Sequence, residues 1–213
     1  MKREHSIDTI PFYEDLIFYA PLTESGLELI GNRNVTPYGN VNYGENGAEF
    51  NGSCLEYEFE YTDQKAPLTI CFEFCPTTIT NSYDYVLVFG SRSNGSTYRY
   101  GIFMRKSDGK IAYDVTCSSN RLDVENYTGI TYSSGRRYKV VSVLDANSQK
   151  IYIDDVLVYN GSVTDRYQIT GTLPGTLVIG GRVDCVYDRM MNGSVKDVRI
   201  YNRALSEEEI SQL

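Results

Sequence analysis

Short stretches of alternating or continuously apolar residues recur along this chain, and they predict strands almost throughout. Leu16-Ile-Phe-Tyr-Ala-Pro-Leu22 reads as the first strand. Ala48 to Tyr61 is extended, with Leu55, Tyr57, Phe59 and Tyr61 on one face and Glu56, Glu58 and Glu60 on the other. Leu68-Thr-Ile-Cys-Phe-Glu-Phe-Cys75 is a core strand ended by Pro76, and its period of two sets Phe72 and Phe74 against Cys71, Glu73 and Cys75. The Phe side is expected to face the core. Tyr85–Gly90, Tyr98–Arg105 and Lys110–Cys117 follow at meander spacing. Arg137–Leu144, Gln149–Ile153 and Val156–Val158 form a further antiparallel group, and Leu177–Gly180 and Val195–Tyr201 complete the set. The polar, Gly-rich stretch from Glu24 to Gly47 reads as a loop with short strands.

Turn chemistry agrees. Asn-Gly stands at Asn46, Asn51, Asn94, Asn160 and Asn192, and Asp-Gly at Asp108. Both dipeptides tolerate the positive φ that tight hairpins need, so all are read as turns. Some of these Asn residues, with Asn34 and Asn126, also begin Asn-x-Ser/Thr sequons. One helix is predicted, at the end of the chain, where Ser206-x-x-Glu209 is a capping box and Ile210 and Leu213 share a face. Many short strands with such turns indicate a two-sheet antiparallel β-sandwich or a barrel. Residues 1–14 read as an arm outside the core, and 15–213 as one domain, a size at which a single sandwich core is usual.

The wording of the last segment, Gly193-Ser-Val-Lys-Asp-Val-Arg-Ile-Tyr-Asn-Arg-Ala-Leu-Ser-Glu-Glu-Glu-Ile210, closely resembles the closing strand of the laminin G-like jelly rolls. These belong to the concanavalin A-like lectin and glucanase superfamily. Asp15-Leu-Ile-Phe-Tyr-Ala-Pro-Leu-Thr-Glu24 resembles the opening strand of that family, and Gly47-Ala-Glu-Phe-Asn-Gly52 its G-x-A-x-x-F-x-G step. Leu68-Thr-Ile-Cys-Phe-Glu-Phe74 stands where the family has F-T-I-S-x-W, with Phe74 in place of Trp. Arg137–Val143, Lys150–Val158 and Leu177–Gly180 resemble its W-H-V-A, L-Y-V-N-G-x-x-V and L-x-I-G pieces. The resemblance spans about residues 15–213 and implies an all-β, two-sheet antiparallel jelly-roll sandwich with a short C-terminal helix. It implies sugar binding or adhesion more often than catalysis, although a fold alone does not settle function.

Composition narrows the partners. A net charge of −8 disfavours nucleic acid and anionic membranes, and no run approaches membrane-spanning length. The chain has nineteen Tyr, eight Phe and no Trp. Tyr combines an apolar ring with a hydroxyl, which suits partly wet sheet faces, and its β propensity accounts for many of these residues. Five cysteines leave at least one unpaired. Cys71 and Cys75 lie roughly 13 Å apart on a strand, too far to bridge. Without C-x-x-C and with His5 as the single histidine, a zinc site is disfavoured. The first residues lack the apolar core of a signal peptide. Buried free thiols are expected, in a protein folded in a reducing compartment or in a mature fragment cut from a larger secreted one.

Three chemistries compete for the polar residues. Glycoside hydrolysis needs two carboxylates about 5–9 Å apart. Glu56, Glu58 and Glu60 share a face, but the E-x-D-x-E pattern of the related glucanases is broken, so a solvated outer face is expected and no catalytic residue is assigned. His5 lies in the arm, which leaves the core without a Ser-His-Asp set. The resemblance implies a structural calcium near the first and last strands, at Thr23-Glu24, the carbonyls around Asn51-Gly52, and Lys196-Asp197. Glu24 and Asp197 are the candidate ligands, with lysine at position 196 working against the site. No other cofactor is expected. Carbohydrate binding needs an aromatic platform flanked by hydrogen-bonding groups. Two segments qualify: Tyr83-Asp84-Tyr85 with Arg92, Tyr98, Arg99 and Tyr100, and Asp184, Tyr187, Asp188 and Arg189.

The expectation drawn from this is a non-enzymatic adhesion or decoration domain, fitting a bacteriophage virion protein folded in the bacterial cytoplasm and displayed on the particle surface. Its expected partners are other virion or surface subunits, cell-surface glycans and further copies of itself as a homo-oligomer. The alternatives are a glycan-binding domain of an extracellular bacterial cell-surface protein and, third, a glycoside hydrolase or polysaccharide lyase. Phe12 and Tyr13 are candidate anchors of the arm on a partner, with packing across the chain's own sandwich as the other reading.

Overall fold

The computed structural model describes residues 9–59, 67–91, 99–116, 126–145, 148–162, 175–182 and 189–213. Two antiparallel sheets pack face to face. The strands are β1 (Leu16–Ala20), β2 (Val35–Tyr38), β3 (Asn42–Gly44), β4 (Gly47–Asn51), β5 (Cys54–Phe59), β6 (Leu68–Thr78), β7 (Tyr83–Ser91) and β8 (Arg99–Arg105). They continue as β9 (Lys110–Thr116), β10 (Asn126–Thr131), β11 (Tyr138–Leu144), β12 (Ser148–Ile153), β13 (Val156–Ser162), β14 (Gly175–Ile179) and β15 (Asn192–Tyr201). One sheet runs β13-β12-β11-β6-β15-β4-β3, with β1 also paired to β15; the other runs β10-β9-β8-β7-β14-β5-β2.

Strand β6 sits near the middle of the first sheet, and its period of two sorts its side chains as expected. Leu68, Ile70, Phe72 and Phe74 enter the core between the sheets, while Cys71 joins a second cluster on the outward face. Facing them from the second sheet are Leu55, Tyr57, Phe59, Phe89, Ile102, Met104 and Leu177. Ring contacts knit the layers: Phe18 meets Tyr57 edge-on at 5.0 Å, and Phe59 meets Phe89 at 4.9 Å.

The tyrosines are distributed differently from the expectation of a wet aromatic face. Tyr57, Tyr113 and Tyr138 are fully buried in the inter-sheet core. Their ring bodies fill it, and a hydroxyl reaching a sheet margin finds a backbone group, as Tyr57 does at the Gly26 carbonyl, 2.8 Å away.

Several turn assignments move. Asn160-Gly161 lies inside β13, and the β12–β13 turn is Asp154-Asp155, both at positive φ. Asn192-Gly193 lies inside β15 at a register shift, with Gly193 at φ 144°. A bulge and a hairpin both demand glycine, so the dipeptide alone does not separate them. Pro76 does not end β6, which continues to Thr78: the residue pairs with Gly193 at that irregularity, where a missing N–H is tolerated. Asn94 lies outside the described residues.

The ends of the chain meet on the outward face of the first sheet. Asn202 donates its backbone N–H to the Asp15 carbonyl at 2.9 Å. Arg203 grips Asp15 at 2.7 Å and Glu209 with two bonds of 2.7 Å. The terminal helix α1 (Glu207–Ile210) carries the expected capping box, with Ser206 accepting from the Glu209 N–H and Glu209 accepting from the Ser206 N–H. Ile210 and Leu205 from this end, and Ile10 and Phe12 from the arm, pack on Tyr201, Cys71 and Val141.

Candidate functional site

The second sheet turns an apolar outward face away from the core. Tyr85, Val88, Phe103 and Ala112 are buried there, with Tyr83 packed against them. Phe103 stands 5.1 Å from Tyr85 and meets Tyr83 edge-on at 5.6 Å. Met190 makes a parallel bridge to Tyr85 and packs on Cys54 and Val178, so residues 189–190 lie against this face.

That bridge joins the two segments singled out in the sequence. The Arg189 guanidinium lies over the Tyr83 ring, 5.2 Å from its centroid, within the range of a cation–π contact. Both side chains remain partly accessible. Beyond them a cross-strand row continues: Tyr83 pairs with Arg105, Arg105 with Lys110 and Lys110 with Thr131. Directly opposite residues in an antiparallel sheet point to the same face, so this row borders the apolar patch over roughly 14 Å.

Tyr85 and Tyr100 are not a platform. Tyr85 is sealed under its neighbours, and Tyr100 faces the inter-sheet core. Arg92, Tyr98, Asp184, Tyr187 and Asp188 lie outside the described residues. Sequence reading passed over Arg105 and Lys110. The signal was partial: Asp108-Gly109 marks the hairpin, but a two-residue loop there would set Lys110 opposite Ser107, and the observed register instead sets it opposite Arg105 across residues 106–109.

Two buried carboxylates are structural: Glu28, which the sequence reading passed over, and Asp84, which it had set in the first sugar-binding segment. Glu28 accepts from the backbone N–H groups of Tyr19, Ile30, Gly31 and Arg33 at 2.7–3.2 Å, which folds the loop after β1 around it. Asp84 is fully buried and accepts from Thr80 N and Asn81 N at 3.2 and 3.3 Å. Burial raises its pKa, and those hydrogen bonds and Lys106 work against the rise. Both carboxylates hold chain turns where a short acidic side chain meets orphan N–H groups.

Of the residues weighed for calcium, Glu24 lies in the loop after β1 and Asp197 within β15. Glu24 is exposed, and Asp197 accepts two bonds from Arg199, at 3.0 and 2.5 Å. Lys196 turns to Glu73 at 3.3 Å. Among the described residues no group of three or more acidic, His or Cys side chains gathers. Phe12 packs on the chain's own sandwich, its ring 5.5 Å from the Arg203 guanidinium, whereas Tyr13 is exposed. The sandwich offers Phe12 an apolar ledge, so the arm need not leave it to bury that ring.

Residues 51–211 match the family model of the concanavalin A-like lectin/glucanases superfamily. No curated protein matches. Among solved structures, Trypanosoma rangeli sialidase in complex with 2,3-difluorosialic acid superposes with a TM-score of 0.72 at 16% identity. That match covers 92% of this chain and 32% of the sialidase, so the chain spans about a third of that enzyme. Domain 4 of a GH43 extracellular arabinanase from Geobacillus stearothermophilus, in complex with arabinotriose, gives a TM-score of 0.69 at 16% identity, covering 93% of this chain and 97% of that one. At these identities the likeness is one of fold. The two-sheet sandwich with its terminal helix and the family match over most of the chain agree: this protein belongs to the concanavalin A-like lectin/glucanases superfamily.

Proposed function

We propose that this protein is a non-enzymatic carbohydrate-binding module. The observation that carries the reading is the corner where Arg189 lies over Tyr83 beside Arg105 and Lys110. A partly accessible ring backed by an apolar patch and edged by long donor side chains is the usual make-up of a small-ligand site. The arabinanase domain of the same fold, solved with arabinotriose, supports the same direction.

A hydrolase would need an accessible carboxyl of raised pKa facing a second carboxylate. Among the described residues, the carboxyl raised by burial, Asp84, is sealed and held by backbone N–H groups. Display on a phage particle, after folding in the bacterial cytoplasm, is the setting that fits the free thiols of Cys54, Cys71 and Cys75, since none of these has formed a disulfide. Display on a bacterial cell surface is the alternative setting for the same binding role.

The test is a glycan panel read by calorimetry, with reducing ends assayed in parallel. Binding to at least one glycan class is expected, falling about tenfold or more in Tyr83→Ala and in Arg189→Ala while the melting temperature holds. No reducing ends are expected. Binding untouched by both substitutions would move the site elsewhere. Release of reducing ends that disappears in Glu58→Gln would overturn the non-enzymatic reading.

A further inference from the structure

The ring of Tyr83 and the guanidinium of Arg189 come from segments that share one isolated bridge, Tyr85 to Met190. A single bridge leaves a segment free to pivot. A cation–π contact at a partly accessible ring is worth less than the rotamer entropy of a free arginine side chain, so the backbone that carries Arg189 has to be placed by something else. The loop between β6 and β7 supplies it. Asn81 donates its Nδ2–H to the Met190 carbonyl at 3.2 Å, one residue beyond Arg189. The Thr80 hydroxyl accepts from the Asn192 Nδ2 at 3.2 Å and holds the same segment two residues further on.

That loop is in turn set from β7. Asp84, next to Tyr83, accepts from the Thr80 and Asn81 N–H groups at 3.2 and 3.3 Å, and an Asn81 side-chain bond steadies its carboxylate. The Lys106 Nζ adds a bond to the Thr80 carbonyl at 3.1 Å. Asp84 is fully buried, whereas Asn81 is partly accessible. The contacts form a closed circuit: Tyr83 to its neighbour Asp84, Asp84 to Asn81, Asn81 to Met190, and Met190 to its neighbour Arg189, which returns to the Tyr83 ring.

Resting on the carbohydrate-binding reading, we infer that Asn81, fixed by Asp84, is a positioning residue of this site: it sets the backbone at residues 189–190 so that the Arg189 guanidinium lies over Tyr83 when the sugar arrives. Its side chain is bonded to protein groups, and it acts through Arg189. A binding side chain keeps its geometry only when the groups behind it are themselves held, and Asn81 is such a group.

Asn81→Ala in the full chain tests this, first without ligand. Ring current from Tyr83 should set the Arg189 side-chain protons upfield in the NMR spectrum, and Tyr83→Leu identifies them by removing it. In Asn81→Ala the same upfield shift should disappear while the amide resonances of β11 and β12 stay in place. A shift that persists overturns the inference and leaves the carbohydrate-binding reading standing, as does a loss that comes only with movement of those amides. Asn81→Ser, a milder change whose hydroxyl falls short of the Met190 carbonyl, decides the case if Asn81→Ala melts early. Calorimetry with xylan, dextran and polygalacturonate gives the second readout. Asn81→Ala should weaken a bound polymer about tenfold and cost nothing further in an Arg189→Ala background, because it acts through that residue. Equal losses in the two backgrounds overturn the inference. Loss of the shift with none of the three polymers bound upholds the placement of Arg189, and the wider glycan panel then decides the reading itself.

Discussion

Cys71 shows how one residue's behaviour follows from its face of a strand. Its neighbours Ile70 and Phe72 enter the inter-sheet core, so Cys71 points outward, where the terminal helix and the arm cover it. Burial pushes its thiol up to about 12, against the pull of the Arg199 guanidinium. The thiolate is the reactive form, so alkylation of the native protein at pH 8 should leave Cys71 unmodified and should reach the partly exposed Cys75. Peptide mapping by mass spectrometry checks this, and equal labelling of the two would mean that the cover over Cys71 opens readily. The alternation was legible in the sequence. The cover was not, because it comes from both ends of the chain.

At the scale of elements, the terminal helix was the most readable piece, since a capping box is local chemistry. Ser206 and Glu209 satisfy each other's backbone donors as their spacing requires. Ser206→Ala should cost roughly 0.5–2 kcal/mol, read as a lower denaturation midpoint. A helix of one turn has little stability alone, and here Ile210 and the Arg203–Glu209 pair tie it to the sheet. An unchanged midpoint would mean that this tether, and not the cap, holds the turn. The Asn-Gly pairs were less readable. Those at Asn160 and Asn192 sit within strands, because register and bulges are settled by the neighbouring strand and not by the dipeptide.

At the scale of the molecule, strand β1 opens the sandwich and β15 closes it, and they are neighbours in one sheet. The arm is held there by Phe12 and Ile10 in the outward cluster and by the Tyr201 hydroxyl on the Pro11 carbonyl at 3.2 Å. Deleting residues 1–12 should therefore lower the melting temperature by several degrees, as about 1–2 kcal/mol does in a domain of this size. A truncated protein that melts unchanged but fails to associate would restore the arm to the role of a partner anchor. The sequence by itself determined the strand-rich class, the inward side of β6 and the capped helix, because period, turn residues and caps act within a few positions of one another; the wording of the strands, through its resemblance to a family, pointed to the sandwich. Only the tertiary structure decided which tyrosines are sealed, that Glu28 and Asp84 hold loops, and that Arg189 comes to rest over Tyr83. Those outcomes depend on which strands become neighbours. In an antiparallel sandwich the pairs that matter join residues as far apart as 83 and 189, and no local pattern encodes that closure.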